Sequence, residues 1–137
     1  MFSKIMVPID LAHTESLGKA VDLAGQLAKI NDARIVFVGV TESQPGTVAH
    51  NPAEFDGKLS AFANAQGTRL GVETSAVTVV SHDPAVDMNE TLLDAITSTS
   101  ADLCVMQTHV PGLLEYVWSS HGGGVASHAK ISVFLVR

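Results

Sequence analysis

Runs of consecutive apolar residues alternate along this chain with stretches in which apolar positions recur at intervals of three and four. KIMVPID at 4–10 is a short run rich in branched residues that ends at an aspartate, which predicts a buried strand whose functional end is Pro8, Ile9 and Asp10. Leu17, Ala20, Val21, Ala24, Leu27 and Ala28 then form one stripe, predicting a helix that starts near Thr14 and stops at Asn31 and Asp32. RIVFVGVTE at 34–42 is apolar at nearly every position, as a central strand of a parallel sheet has to be.

The second half repeats this alternation. Ser43 to His50, with Pro45 and Gly46 inside it, reads as a loop. Asn51, Pro52 and Glu54 supply a cap, a proline in the first turn and an acid at the third position, so a helix starts there. Its stripe is Phe55, Leu59, Phe62 and Gln66, interrupted by Gly57, and it ends around Gly67 or Gly71. Val72 to Val80 predict a third strand whose weak alternation suits an edge. Asp83-Pro84 opens a third helix with Val86, Leu92, Leu93 and Ile96 inward, and ADLCVMQTH at 101–109 is the fourth strand. A closing helix within 113–130 leads to the final strand SVFLVR at 132–137.

Five strands alternating with four helices specify an α/β fold, an open doubly wound parallel sheet, because parallel neighbours require helical crossovers. The 137 residues suit a single domain with a core that needs no disulfide or metal. The last strand is apolar on both faces, and an edge of that kind invites a partner.

Composition narrows the function. Apolar residues make up 46% of the chain and charged ones 16%, which excludes disorder, and no run has the length of a membrane span. The first ten residues lack the pattern of a signal peptide, so a cytoplasmic protein is expected. A net charge of -6 with no basic block makes nucleic acid a poor partner. Cys104 lies in an apolar run and reads as a core residue.

In doubly wound sheets ligands bind beyond the carboxyl ends of the strands, where strand order reverses. Those ends carry Asp10, Val40-Thr41-Glu42 and Met106-Gln107-Thr108-His109. Asp10 can accept hydrogen bonds from a base or ribose, or cap the loop that follows it. His109 can face a phosphate or act as a base, or be a simple loop residue. Ser119-Ser120-His121-Gly122-Gly123-Gly124 offers small residues and hydroxyls to an anion, or permits close packing of helix on sheet. Neither a Walker lysine motif nor G-x-G-x-x-G is present. His121 and His128 are two helical turns apart, about 10 Å of rise, too far for one metal ion. No G-x-S-x-G elbow points to a hydrolase.

KIMVPIDLAHTESLGKAVDLA, RIVFVGVTE, SHDPAVDMNETLLDAI before ADLCVMQTH, and SSHGGGVASHAKISVFLVR together resemble the universal stress protein family along essentially the whole chain. The resemblance implies the strand order 3-2-1-4-5, a dimer through the last strand (Val133, Phe134, Leu135 and Val136), and ATP or AMP bound at the switch point, with Mg²⁺ accompanying ATP. By position it assigns the adenine and ribose to Pro8, Ile9, Asp10 and Val40. Met106, Gln107, His109, Val110, Ser119, Ser120, His121 and Gly122 would surround the ribose and phosphates.

The chain departs from the family's G-x-x-G-x9-G-[ST] pattern. Gln107, Val110 and Ser119 stand where the three glycines are expected and Ser120 at the [ST] position, with eight residues between Val110 and Ser119. Side chains at Gln107 and Val110 crowd the phosphate route, and Gly122 to Gly124 are expected to compensate by opening the helix start. The expected function is a stress-response protein that binds an adenine nucleotide and acts through dimerisation and a protein partner. The alternatives are a nucleotide-free dimeric interaction module and a slow ATP hydrolase using His109 or His121 as base.

Overall fold

The computed structural model describes residues 1–108 and 122–137. Its strands β1 (Lys4–Ile9), β2 (Arg34–Thr41), β3 (Thr74–Val80), β4 (Leu103–Gln107) and β5 (Ser132–Val136) form one parallel sheet in the order β3-β2-β1-β4-β5. A 3-10 segment (Leu11–Leu17) and helix α1 (Gly18–Asn31) link β1 to β2, α2 (Pro52–Leu70) links β2 to β3, and α3 (Pro84–Thr99) links β3 to β4. Helix α4 (Gly122–His128) precedes β5. The order reverses between β1 and β4, whose register pairs Ile5 with Leu103 and Met6 with Cys104.

Burial follows from that order. β1, β2 and β4 have neighbours on both sides and helices on both faces, so Ile5, Met6, Ile35, Phe37, Val105 and Met106 are fully buried, which is why these segments lack alternation. β3 and β5 are the edges, as Val80, Phe134 and Leu135, all exposed, attest. Contacts divide the helices into two layers. Gly25 of α1 lies against Leu70 of α2, and Arg69 of α2 reaches Asp22 of α1 at 2.7 Å. On the other face α3 meets α4 where Gly124 lies against Asn89. Phe37 of β2 and Phe62 of α2 meet edge to face, 5.3 Å between centroids.

Local signals set most helix boundaries. Asn51 Oδ1 accepts from Glu54 N at 2.8 Å, satisfying an N–H that the first turn of α2 leaves unpaired, and Gly71 at φ 68° ends the helix in the left-handed conformation that glycine adopts without penalty. Asp32 and Ser100 end α1 and α3 in the same conformation, at φ 54° and 56°.

Two expectations are corrected. α1 does not start near Thr14: Asp10 Oδ1 accepts from Ala12 N at 3.0 Å, the chain turns as a 3-10 segment broken at His13, and regular helix begins at Gly18. Val86 does not face inward but is 75% exposed. The buried stripe of α3 is Met88, Leu92, Ala95, Ile96 and Thr99, and Val86, two residues before Met88, lies about 200° around the helix from it. Of the closing helix expected over 113–130, residues 113–121 lie outside the described residues.

Candidate functional site

The ends of β1 and β2 open into a hollow of about 390 Å³, next to the point where the strand order reverses. Parallel strands end there together, and the chain must leave the sheet by loops, so a crevice forms above the strand ends. Ile9, Val40, Val48, Phe55 and Met88 supply apolar lining, while Asp10, Thr41, Glu42, Gln44 and Thr47 supply polar groups. The volume is within the range of small-molecule sites.

Phe55 occupies its place because Gly39 has no side chain. A Cβ on Gly39 would lie 2.6 Å from Phe55 Cε1 and 2.8 Å from Cζ. The ring therefore sits directly on the backbone of β2, one residue before Val40. Loop 43–50 covers this side of the hollow, closed by Gly46 N donating to Ala49 O at 2.9 Å. Lys58 of α2 donates to Val48 O, and Glu54 Oε2 accepts from both His50 N, at 3.2 Å, and His50 Nδ1, at 3.1 Å. The backbone and side-chain hydrogen bonds from His50 hold the Glu54 carboxyl below its ordinary value.

Asp10 takes the capping role that its sequence position left open. Its Oδ1 caps the 3-10 segment, its Oδ2 lies 2.9 Å from His13 Nδ1, and the residue also lines the hollow. A carboxylate can only accept, so His13 Nδ1 carries the hydrogen. The side chain is 14% exposed, and each oxygen keeps a second lone pair for a ligand donor.

Among the candidate residues, Ile9, Asp10 and Val40 converge on the hollow. Pro8 is a buried strand residue paired with Val38, and Met106 and Gln107 are buried in β4; none of the three lines it. Gly122 is buried at the start of α4, against Thr108 and Leu135. His109, Val110, Ser119, Ser120 and His121 lie outside the described residues. Phe55 and Met88, which the pattern read only as helix stripe or passed over, are lining residues. The loop signal Pro45-Gly46 was visible, but not that the loop folds over the strand ends.

Burial pushes the Cys104 thiol up to about 12, so this residue is inert packing. Among the described residues no group of His, Cys, Asp and Glu could hold a metal ion, and no helix is long and apolar enough to cross a membrane.

A 3-2-1-4-5 parallel sheet with a ligand-sized hollow beside its switch point defines an open doubly wound α/β protein. The sequence matches the universal stress protein family over residues 1–137, and the chain belongs to that family. A universal stress protein family member from Burkholderia pseudomallei is 26% identical, with 98% of this chain and 95% of that one covered and a TM-score of 0.69. A universal stress protein in complex with cAMP is 21% identical over 99% and 97% of the two chains, TM-score 0.72. One from Archaeoglobus fulgidus in complex with dAMP is 15% identical over 98% of each, TM-score 0.69.

Proposed function

We propose that this chain binds an adenine nucleotide, ATP or AMP, at the strand ends, with Mg²⁺ accompanying ATP. It acts as a cytoplasmic stress-response protein through a dimer and a protein partner, not through rapid turnover, and residues 1–137 form one domain. The observation that carries the reading is the convergence of Ile9, Asp10 and Val40 on a hollow walled by Phe55 and Met88. Apolar walls suit the faces of a purine, and a carboxylate suits its amino group or a ribose hydroxyl. The cAMP and dAMP complexes of proteins with this fold support the choice of ligand. The exposed Phe134 and Leu135 on β5 support the dimer, since an apolar edge strand is otherwise a liability.

The test is to denature the purified protein, identify any nucleotide released, and titrate ATP and AMP into stripped protein by calorimetry with and without Mg²⁺. Micromolar affinity, about 8 kcal/mol of binding, is the expected result. No binding up to millimolar concentration would overturn the reading.

One observation favours the second reading, a nucleotide-free interaction module. Gln107 is buried at the end of β4, where nucleotide-binding members resemble one another in having glycine. In that case calorimetry would show no heat of binding while the dimer persisted.

A further inference from the structure

The walls of the hollow are not held equally. β1 and β2 are fixed by the sheet ladder, and Phe55 and Met88 by the long helices that carry them. Residues 43–50 belong to no strand or helix. Gln44 to Ala49 line the hollow as one consecutive run, and within it Gly46 N donates to Ala49 O at 2.9 Å, which ties the run to itself.

Its ties to the rest of the molecule are few and local. Every described hydrogen bond between residues 43–50 and the rest of the chain ends on Glu54 or Lys58: Glu54 Oε2 accepts from His50 N and lies 3.1 Å from His50 Nδ1, and Lys58 donates to Val48 O. These two side chains stand one turn apart on α2, 3.5 Å from Nζ to Oε1, and are 37% and 52% exposed, so water competes for each tie. Only Ala49 of the run is buried, with Val48 half-buried. Thr47 and Val48 also border a depression of about 440 Å³ shared with Leu11, Ala12 and Lys58, which leaves the middle of the run open space to move into. The anchors on either side are firm. Thr41 O accepts from Ser81 N at 2.8 Å, and Asn51 caps α2. A segment with few buried contacts and exposed bonds, set between fixed ends, opens locally without unfolding its domain.

We infer that residues 43–50 are a strap that closes one side of the hollow and is latched to α2 by Glu54 and Lys58. Releasing the latch swings the strap out between Thr41 and Asn51 and admits or frees a small molecule while the sheet stays folded. This goes beyond the adenine reading and holds for any occupant of the hollow.

The experiment places a thiol inside the hollow with Met88→Cys, at a position 2% exposed, and measures its alkylation by iodoacetamide in the native protein. Cys104, buried in β4, reports unfolding of the whole domain in the same sample. Lys58→Met keeps the length of the side chain but cannot donate, and Glu54→Ala leaves the Asn51 cap intact. Adding either should speed alkylation at position 88 about three- to tenfold, the effect of losing one or two hydrogen bonds, with the Cys104 rate unchanged. The same shift is expected with Ile9→Cys as reporter, at the tip of β1 and 1% exposed. Equal rates with the latch intact and cut, at both reporters, would overturn the inference. Cys104 accelerating in step with the reporters would overturn it too, since the whole domain and not the strap would then be opening.

Discussion

Gly122 and Thr108 are packed so closely that a methyl group on the Gly122 Cα would overlap Thr108 Cγ2, with Leu135 Cδ2 only 3.1 Å away. Thr108 cannot yield freely, because its N–H and its hydroxyl both donate to Val136 O, at 2.8 and 3.2 Å. The first glycine of the run thus lets α4 settle on the junction of β4 and β5.

The three glycines therefore divide by environment. Gly122→Ala should cost about 1–3 kcal/mol, the usual penalty for overpacking. Gly124→Ala meets the amide end of Asn89, a flexible group, and should cost less. A Cβ on Gly123 meets nothing within 4 Å, so Gly123→Ala should be neutral or stabilise by up to about 1 kcal/mol. Urea denaturation of the three variants tests this ranking, and equal effects at all three positions would contradict it.

Asp102 ties the start of β1 to the start of β4. It accepts from Ser3 N at 2.9 Å, Lys4 N at 3.0 Å and Ser3 Oγ at 2.8 Å. Burial pushes its pKa up, but the Ser3 and Lys4 hydrogen bonds together outweigh burial and hold it below its ordinary value of 3.8. A pKa lowered by folding contributes stability above the unfolded value, and that stability is lost as pH falls through the folded one. Asp102→Ala should therefore cost about 1–3 kcal/mol at neutral pH, and the gap to wild type should narrow below about pH 4. Denaturation midpoints measured from pH 7 downward decide it.

Gly39 is the position on which the hollow's aromatic wall depends. Gly39→Ala should displace Phe55, cost about 1–3 kcal/mol and weaken adenine binding, whereas Gly57→Ala, where a Cβ meets nothing within 4 Å, should leave binding unchanged. Thermal melts read beside calorimetry separate the two effects. Loss of stability in Gly39→Ala without any loss of binding would detach Phe55 from the site.

If β5 carries the dimer, Phe134→Glu should convert it to monomer, since Phe134 is 47% exposed on that edge and a charge there opposes edge pairing. Sedimentation measures the mass of both proteins. A dimer that survives the substitution would place the interface elsewhere.

Cys104 should resist alkylation in the native protein and react once urea unfolds it, because its thiol, pushed up to about 12, stays protonated and enclosed at neutral pH. Mass spectrometry after a short iodoacetamide pulse reads this directly.

Hydrophobic period determined the five strands and the edge character of β3, and residue type determined the cap at Asn51 and a helix end at Gly67 or Gly71, because those signals lie in a few adjacent residues. It also placed Ile9, Asp10 and Val40 at strand ends, where a doubly wound sheet binds ligands. Only the tertiary structure decided the rest. Val86 and Met88 are both apolar and two residues apart, and which of them is buried depends on where α3 lies against the sheet. Phe55 became a pocket wall because Gly39, on another element, leaves room for its ring. Gly122 was needed for packing because Thr108 and Leu135, distant along the chain or on another strand, meet over it. Asp10 and Glu42 come together in the same way: they are 32 positions apart in the chain and line one hollow only when β1 and β2 pair.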